Sequence, residues 1–115
     1  MSQKRQAIYF KDETSGKEPA REWIETMKDK MGKAKIFTRI GRAENGNLGD
    51  NSSVGDGVFE LKIDFGPGYR VYYGLEGSEL IVLLIAGDKS SQSKDISKAK
   101  EFWSSYKNEK LKQGV

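Results

Sequence analysis

Lys62 and Arg70 stand on either side of a Gly-Pro-Gly turn in FELKIDFGPGYRVYYG, residues 59–74, and Lys89 follows soon after the apolar run ELIVLLIAG. Arginine offers planar, bidentate donors for a phosphate, and lysine offers a compact charge that can also release a proton. A lysine at its ordinary pKa of about 10.4 is neutral in roughly one molecule in a thousand at pH 7, so a lysine base needs other cations gathered beside it. The chain has no histidine and no cysteine. The commonest general base, the commonest metal ligand and any thiolate metal site or disulfide are thereby excluded, and the chemistry falls to Lys, Arg, Asp, Glu, Tyr or Ser. Such a set suits cleavage of a phosphodiester by the RNA's own 2′-hydroxyl: Arg70 neutralises the pentavalent phosphate and Lys62 takes or delivers a proton. Glu60 is a further candidate base on the same face, and Tyr72 can stack a base or donate to phosphate. The plain alternative is a solvated sheet face on which Asp64 and Arg70 form a cross-strand pair. No phosphate loop of the Walker type is present.

These residues need a scaffold, and alternation supplies it. Phe59, Leu61, Ile63 and Phe65 alternate with polar positions, as do Tyr69, Val71 and Tyr73, so both runs read as strands with one apolar face. An inward face is obtained with Phe65 opposite Tyr69, Ile63 opposite Val71 and Leu61 opposite Tyr73, leaving Gly66-Pro67-Gly68 as a three-residue loop. ELIVLLIAG, residues 79–87, is apolar throughout, the pattern of a central strand covered on both sides. QAIYF, residues 6–10, reads as a first strand. Pro19 opens a helix whose stripe is Ala20, Trp23, Ile24, Met27 and Met31, with Gly32 placed to end it. KAKIFTRIGRAE, residues 33–44, makes a second helix with Ile36, Phe37, Ile40 and Ala43 inward. Residues 45–57 read as a turn-rich loop without strand signal. A last helix starts near Ser91 or Ser93 and turns Ile96, Ala99, Phe102, Trp103 and Tyr106 inward.

The chain has 115 residues and a net charge of +3, so a single domain spanning residues 1–115 is expected. Charge is unevenly distributed. Lys28 to Arg42 holds six basic residues and one acid, Lys89 to the end holds seven lysines against three acids, and residues 43–60 carry acids alone. Segregation of this kind focuses a positive field for a polyanion if the basic runs share a face, and otherwise describes two solvated helices. The N-terminal apolar run is too short for a leader or a membrane span, so a cytoplasmic protein without membrane contact is expected.

The runs GVFELKIDFGPGYRVYYG and LIVLLIAGDKSSQSKDISKAKEFW closely resemble the RelE/HigB-type addiction-module killer proteins, toxins of bacterial type II toxin-antitoxin pairs in the RelE/ParE superfamily. The resemblance covers most of the chain, with E-L-K, then G-x-Y-R-x-Y-Y, then the apolar strand ending in G-D-K-S as its most specific parts. It implies an α+β microbial RNase-type fold in the order strand, helix, helix, three antiparallel strands, helix. It also implies metal-independent cleavage of mRNA on the ribosome until an antitoxin intervenes. Arg70 matches the sheet arginine that supports the scissile phosphate, Lys62 the strand lysine or arginine, and Lys89 the basic position after the last strand. Several relatives carry a His or Tyr near the C-terminus as acid or base. This chain has no histidine, and Tyr106, in about that region, has the spacing of a core residue, which leaves Lys62, Lys89 and Glu60 as candidates. Lys33, Lys35, Arg39 and Arg42 on the second helix and Lys94 and Lys98 on the last are the residues expected to hold ribosomal RNA. The expected partner is a small helix-turn-helix antitoxin, through which alone operator DNA would be reached. Two other readings use the same scaffold: a ParE-like, non-enzymatic binder of DNA gyrase, and an inactive co-repressor that only binds its antitoxin.

Overall fold

The computed structural model describes residues 4–113, so the first three residues of the N-terminal run lie outside the described residues. The elements are β1 (Gln6–Tyr9), α1 (Pro19–Thr26), α2 (Lys30–Glu44), β2 (Asn51–Gly55), β3 (Val58–Ile63), β4 (Tyr69–Glu76), β5 (Leu80–Asp88), a 3₁₀ turn (Lys89–Ser91) and α3 (Gln92–Gln113). The fold is α+β. One mixed sheet runs β1-β5-β4-β3-β2, with β1 parallel to β5 and all other pairs antiparallel.

The second strand corrects the expected loop at 45–57. NSSVG has little strand propensity, yet it pairs antiparallel with β3 through Asn51 opposite Leu61 and Ser52 opposite Glu60. Tertiary contacts decide the matter. From α2, the Arg39 guanidinium donates to the carbonyls of Leu48 and Asp50, each at 3.0 Å, and of Lys62 at 3.4 Å, which fastens the incoming segment to the sheet. Gly55, Asp56 and Gly57 then all take positive φ to reverse the chain into β3.

The helical boundary also moves. α1 stops at Thr26 and α2 starts at Lys30, because Asp29 caps it by accepting from the Gly32 amide at 2.9 Å. Met31 therefore lies on α2 and is exposed, as is Phe37, and neither joins the core as the spacing predicts. Gly32 does not end a helix. It makes room, since a Cβ there would sit 2.5 Å from the Tyr69 ring.

The β3–β4 register differs from the expected one by two residues. Ile63 faces Tyr69, Leu61 faces Val71, Phe59 faces Tyr73, and on the other face Lys62 stands opposite Arg70 and Glu60 opposite Tyr72. A shift of two preserves which side chains share a face, so alternation cannot distinguish the two registers. The turn decides. Gly66 and Gly68 both take positive φ, and the Gly68 amide donates to the Phe65 carbonyl at 3.1 Å, which makes residues 64–68 the connection.

Both faces of the sheet are covered. α1 and α2 pack on one through Ala20, Ile24, Ile36 and Ile40 against Leu61, Val71, Tyr73 and Leu83. α3 packs on the other through Ala99 and Trp103 against Val58, Tyr72, Val82 and Leu84, so β5 is covered on both sides as its composition predicts. No helix among the described residues is long and apolar enough to cross a membrane.

Candidate active site

Glu60, Lys62, Arg70 and Tyr72 lie on the α3 side of β3 and β4, and at the end of these strands the cover of α3 runs out. Arg70 has Lys62 opposite it on β3 and Gly87 opposite it on β5. Like charges directly across a strand pair repel, and an acid from the next position compensates. Arg70 Nε donates to Glu60 Oε1 at 2.5 Å, with Glu60 3% and Arg70 14% exposed. The same carboxylate oxygen accepts from Gln92 Nε2, in the first turn of α3, at 3.1 Å. Arg70 Nη1 also donates to the Gly68 carbonyl at 3.3 Å. Of the five N–H donors of a guanidinium, two are thus committed among the described residues and three are free for a ligand.

Lys62, Arg70 and Lys89 line one cleft of about 240 Å³ at this end of the sheet, together with Gly68, Asp50 and Asp64. Lys89 is held at its mouth by the 3₁₀ turn, which Asp88 caps by accepting from the Ser90 amide at 2.9 Å. Among the described residues neither Lys62 nor Lys89 forms an ion pair. The three cations named from the sequence are thus brought together. Asp50 and Asp64 join them, because β2 delivers Asp50 to the neighbouring edge and the two-residue register shift takes Asp64 out of its expected pairing with Arg70. The cleft is mixed in charge where the sequence pointed to a basic patch.

A comparison with known proteins places the chain among relatives. An uncharacterized protein of Haemophilus influenzae is 53% identical over 78 residues, which span 68% of this chain and 79% of that one. The two belong to one family. No family model matches the chain, and no solved structure matches it. That relative is uncharacterized, and the chemistry of this chain follows from its own cleft.

The remaining candidates separate. Tyr72 is fully buried beneath α3, its hydroxyl without a hydrogen-bond partner among the described residues, and burial pushes its pKa above the ordinary tyrosine range. It offers no exposed ring to a nucleobase. Arg39 is spent on the three carbonyls that hold β2, Lys33 Nζ donates to the Glu25 carbonyl at 3.0 Å, and Lys35 lies over the Phe65 ring at 5.1 Å. Arg42, Lys94 and Lys98 are exposed, Lys98 with Glu101 4.0 Å away. α2 and α3 sit on opposite faces of the sheet, so their basic residues do not form one positive surface. Tyr106 stacks on Trp103 at 5.5 Å and donates to Glu76. Glu76 is six residues along β4 from Arg70, about 20 Å at 3.3 Å per residue, which takes Tyr106 out of the cleft. Sequence reasoning missed Gln92 and Gly68. A glutamine in an amphipathic helix carries no signal for the strand it will touch.

Proposed function

We propose that this protein is the toxin of a toxin-antitoxin pair and that it cleaves mRNA on the ribosome, with the cleft of Lys62, Arg70 and Lys89 as its site. One observation carries the reading: an arginine anchored at its Nε by a buried carboxylate, with free donors, beside two lysines that form no ion pair among the described residues. In the proposed reaction the 2′-oxygen attacks the adjacent phosphorus as its proton passes to a solvent water, and the bond to the 5′-oxygen breaks to give a 2′,3′-cyclic phosphate and a 5′-hydroxyl. Arg70 donates to the non-bridging oxygens as their charge rises. Lys62 or Lys89 delivers a proton to the departing 5′-oxygen and regains one from solvent. No metal enters these steps. The reading also takes the five-stranded sheet with α1 and α2 on one face and α3 on the other as a RelE-like, microbial RNase-type fold. A helix-turn-helix antitoxin encoded beside the toxin is the partner it implies.

Primer extension on mRNA after induced expression tests the proposal. New 5′ ends are expected with the native chain and not with Arg70→Ala. No new ends with the native chain would refute it. A second reading draws on the commitment of Glu60 and Tyr106, two groups able to move protons, to partners inside the protein. A binder of DNA gyrase, or of its antitoxin alone, needs neither. Stalled replication with DNA-damage signalling, while translation continues, would favour it.

A further inference from the structure

We propose that Glu60 and Gln92 are positioning residues, a clamp through which the first turn of α3 fixes the orientation of Arg70, and that Glu60 is not the base of the reaction. The catalytic consequence rests on the RNA-cleavage reading; the clamp itself does not. Glu60 Oε1 accepts from both Arg70 Nε and Gln92 Nε2, and at 3% exposure Glu60 is shut off from a substrate in the cleft. A base must come within hydrogen-bond reach of the proton it removes, and a buried oxygen already accepting two bonds is poorly placed for that.

The seat of α3 makes the clamp possible. Gly87, opposite Arg70, has no side chain, and the helix closes onto that gap: a Cβ there would lie 2.0 Å from Asp95 Oδ2 and 2.8 Å from Ser91 Oγ. Ser91 Oγ donates to Asp95 Oδ2 at 2.6 Å, locking this first turn at one height on the sheet. Gln92, the next residue, then reaches across to β3. Arg70 cannot turn about its own stem without breaking the Nε bond, so its two terminal nitrogens keep one heading toward the cleft.

Two measurements decide the proposal. In the intact chain, the Arg70 Nε–H resonance, assigned by its loss in Arg70→Lys, should exchange slowly with solvent, and at least about tenfold faster in folded Gln92→Ala, the change expected when a hydrogen bond to a charged group is lost. Unchanged exchange would overturn the clamp. With ribosomes and mRNA, Glu60→Gln keeps an acceptor for Arg70. It should retain more than about a tenth of native kcat/KM with an unaltered pH profile, whereas loss of a general base costs about 100-fold or more. Such a loss, together with disappearance of the acidic limb of the profile, would make Glu60 the base and refute its positioning role. If the native chain cleaves nothing, the proposed function falls and the exchange measurement still judges the clamp.

Discussion

The two faces of the β3–β4 hairpin are built from alternate residues of the same two strands and do opposite work. On the α1–α2 side, Leu61, Ile63, Tyr69, Val71 and Tyr73 are buried in a continuous apolar layer. On the α3 side, Val58 and Tyr72 are equally buried, but the row then changes to Glu60, Arg70 and Lys62 as it approaches the strand ends. The first face is determined by volume, and many apolar sets of similar size would satisfy it. The second is determined by pairing, since a buried carboxylate must have a partner or shift its charge. Substitutions should therefore register as stability on one face, and on the other as both stability and chemistry.

Arg70→Ala offers the largest break in this contrast. On the proposed function, loss of the Arg70 donors should lower mRNA cleavage by at least about 100-fold. Removal of one partner of a buried ion pair should also cost about 3 kcal/mol in urea unfolding, because Glu60 is left charged without a counterion. Combining Arg70→Ala with Glu60→Gln separates the two effects: stability should return and cleavage should not. Recovery of cleavage in the double variant would sink the assignment of Arg70 to phosphate.

On the apolar face, Leu61→Ala should cost about 3 kcal/mol by the same measurement, since Leu61 is fully buried between the two layers. A cost below about 1 kcal/mol would mean that the core there collapses around the gap. Arg39→Ala should cost less, about 1–2 kcal/mol, for hydrogen bonds lost to partly buried carbonyls. Its signature is local: faster amide exchange in Asn51–Gly55 relative to Leu80–Asp88. Uniform acceleration across both strands would show that Arg39 does not hold β2 in particular.

Legibility from sequence follows the same division. Apolar alternation reports burial directly, so the faces of β3 and β4, the central position of β5 and the grouping of Lys62, Arg70 and Lys89 could all be read. Alternation is blind to a slip of two residues, so it pairs Asp64 with Arg70, whereas Lys62 stands opposite Arg70 and Glu60 supplies its carboxylate diagonally. β2 could not be read because its pairing comes from Arg39 in another element and from the open edge of β3. The burial of Tyr72 is hidden from the sequence for a related reason: tyrosine serves exposed and buried positions alike, and only the path of α3 over the sheet decides between them.

Asp95 gives a smaller test on the α3 side. Burial raises its carboxyl pKa, opposed by the Ser91 hydrogen bond and the nearby Lys94. A raised folded value means that the native state holds the proton more tightly, so this contribution is complete below the unfolded value of about 3.9 and is lost as pH rises through the folded value. Asp95→Asn keeps the shape and an acceptor for Ser91. The variant should match or exceed the native chain in stability at pH 7 and should lack that gain on acidification. A variant that is less stable at pH 7 and keeps the native pH slope would show that the charge itself is needed there.

The smallest effect sits on the opposite face and has two limits. The Tyr69 hydroxyl donates to Asp29 Oδ2 at 2.6 Å, joining the β4 start to the cap of α2. This bond pushes the Tyr69 pKa up to about 12 and lowers that of Asp29. It exists in full only with the phenol protonated and the carboxylate ionised. For the tyrosine, whose folded value lies above its unfolded value of about 10, stability is present below pH 10 and lost between 10 and 12. For the aspartate, whose folded value is depressed, it is present above about pH 4 and lost as pH falls. The stability difference between the native chain and Tyr69→Phe should therefore be level from about pH 4 to 10 and narrow on both sides, as read from unfolding midpoints across pH. A difference that stays constant through pH 11 would mean that Tyr69 contributes through its ring, packed at 5.9 Å from Trp23, and that α2 is capped without help from β4.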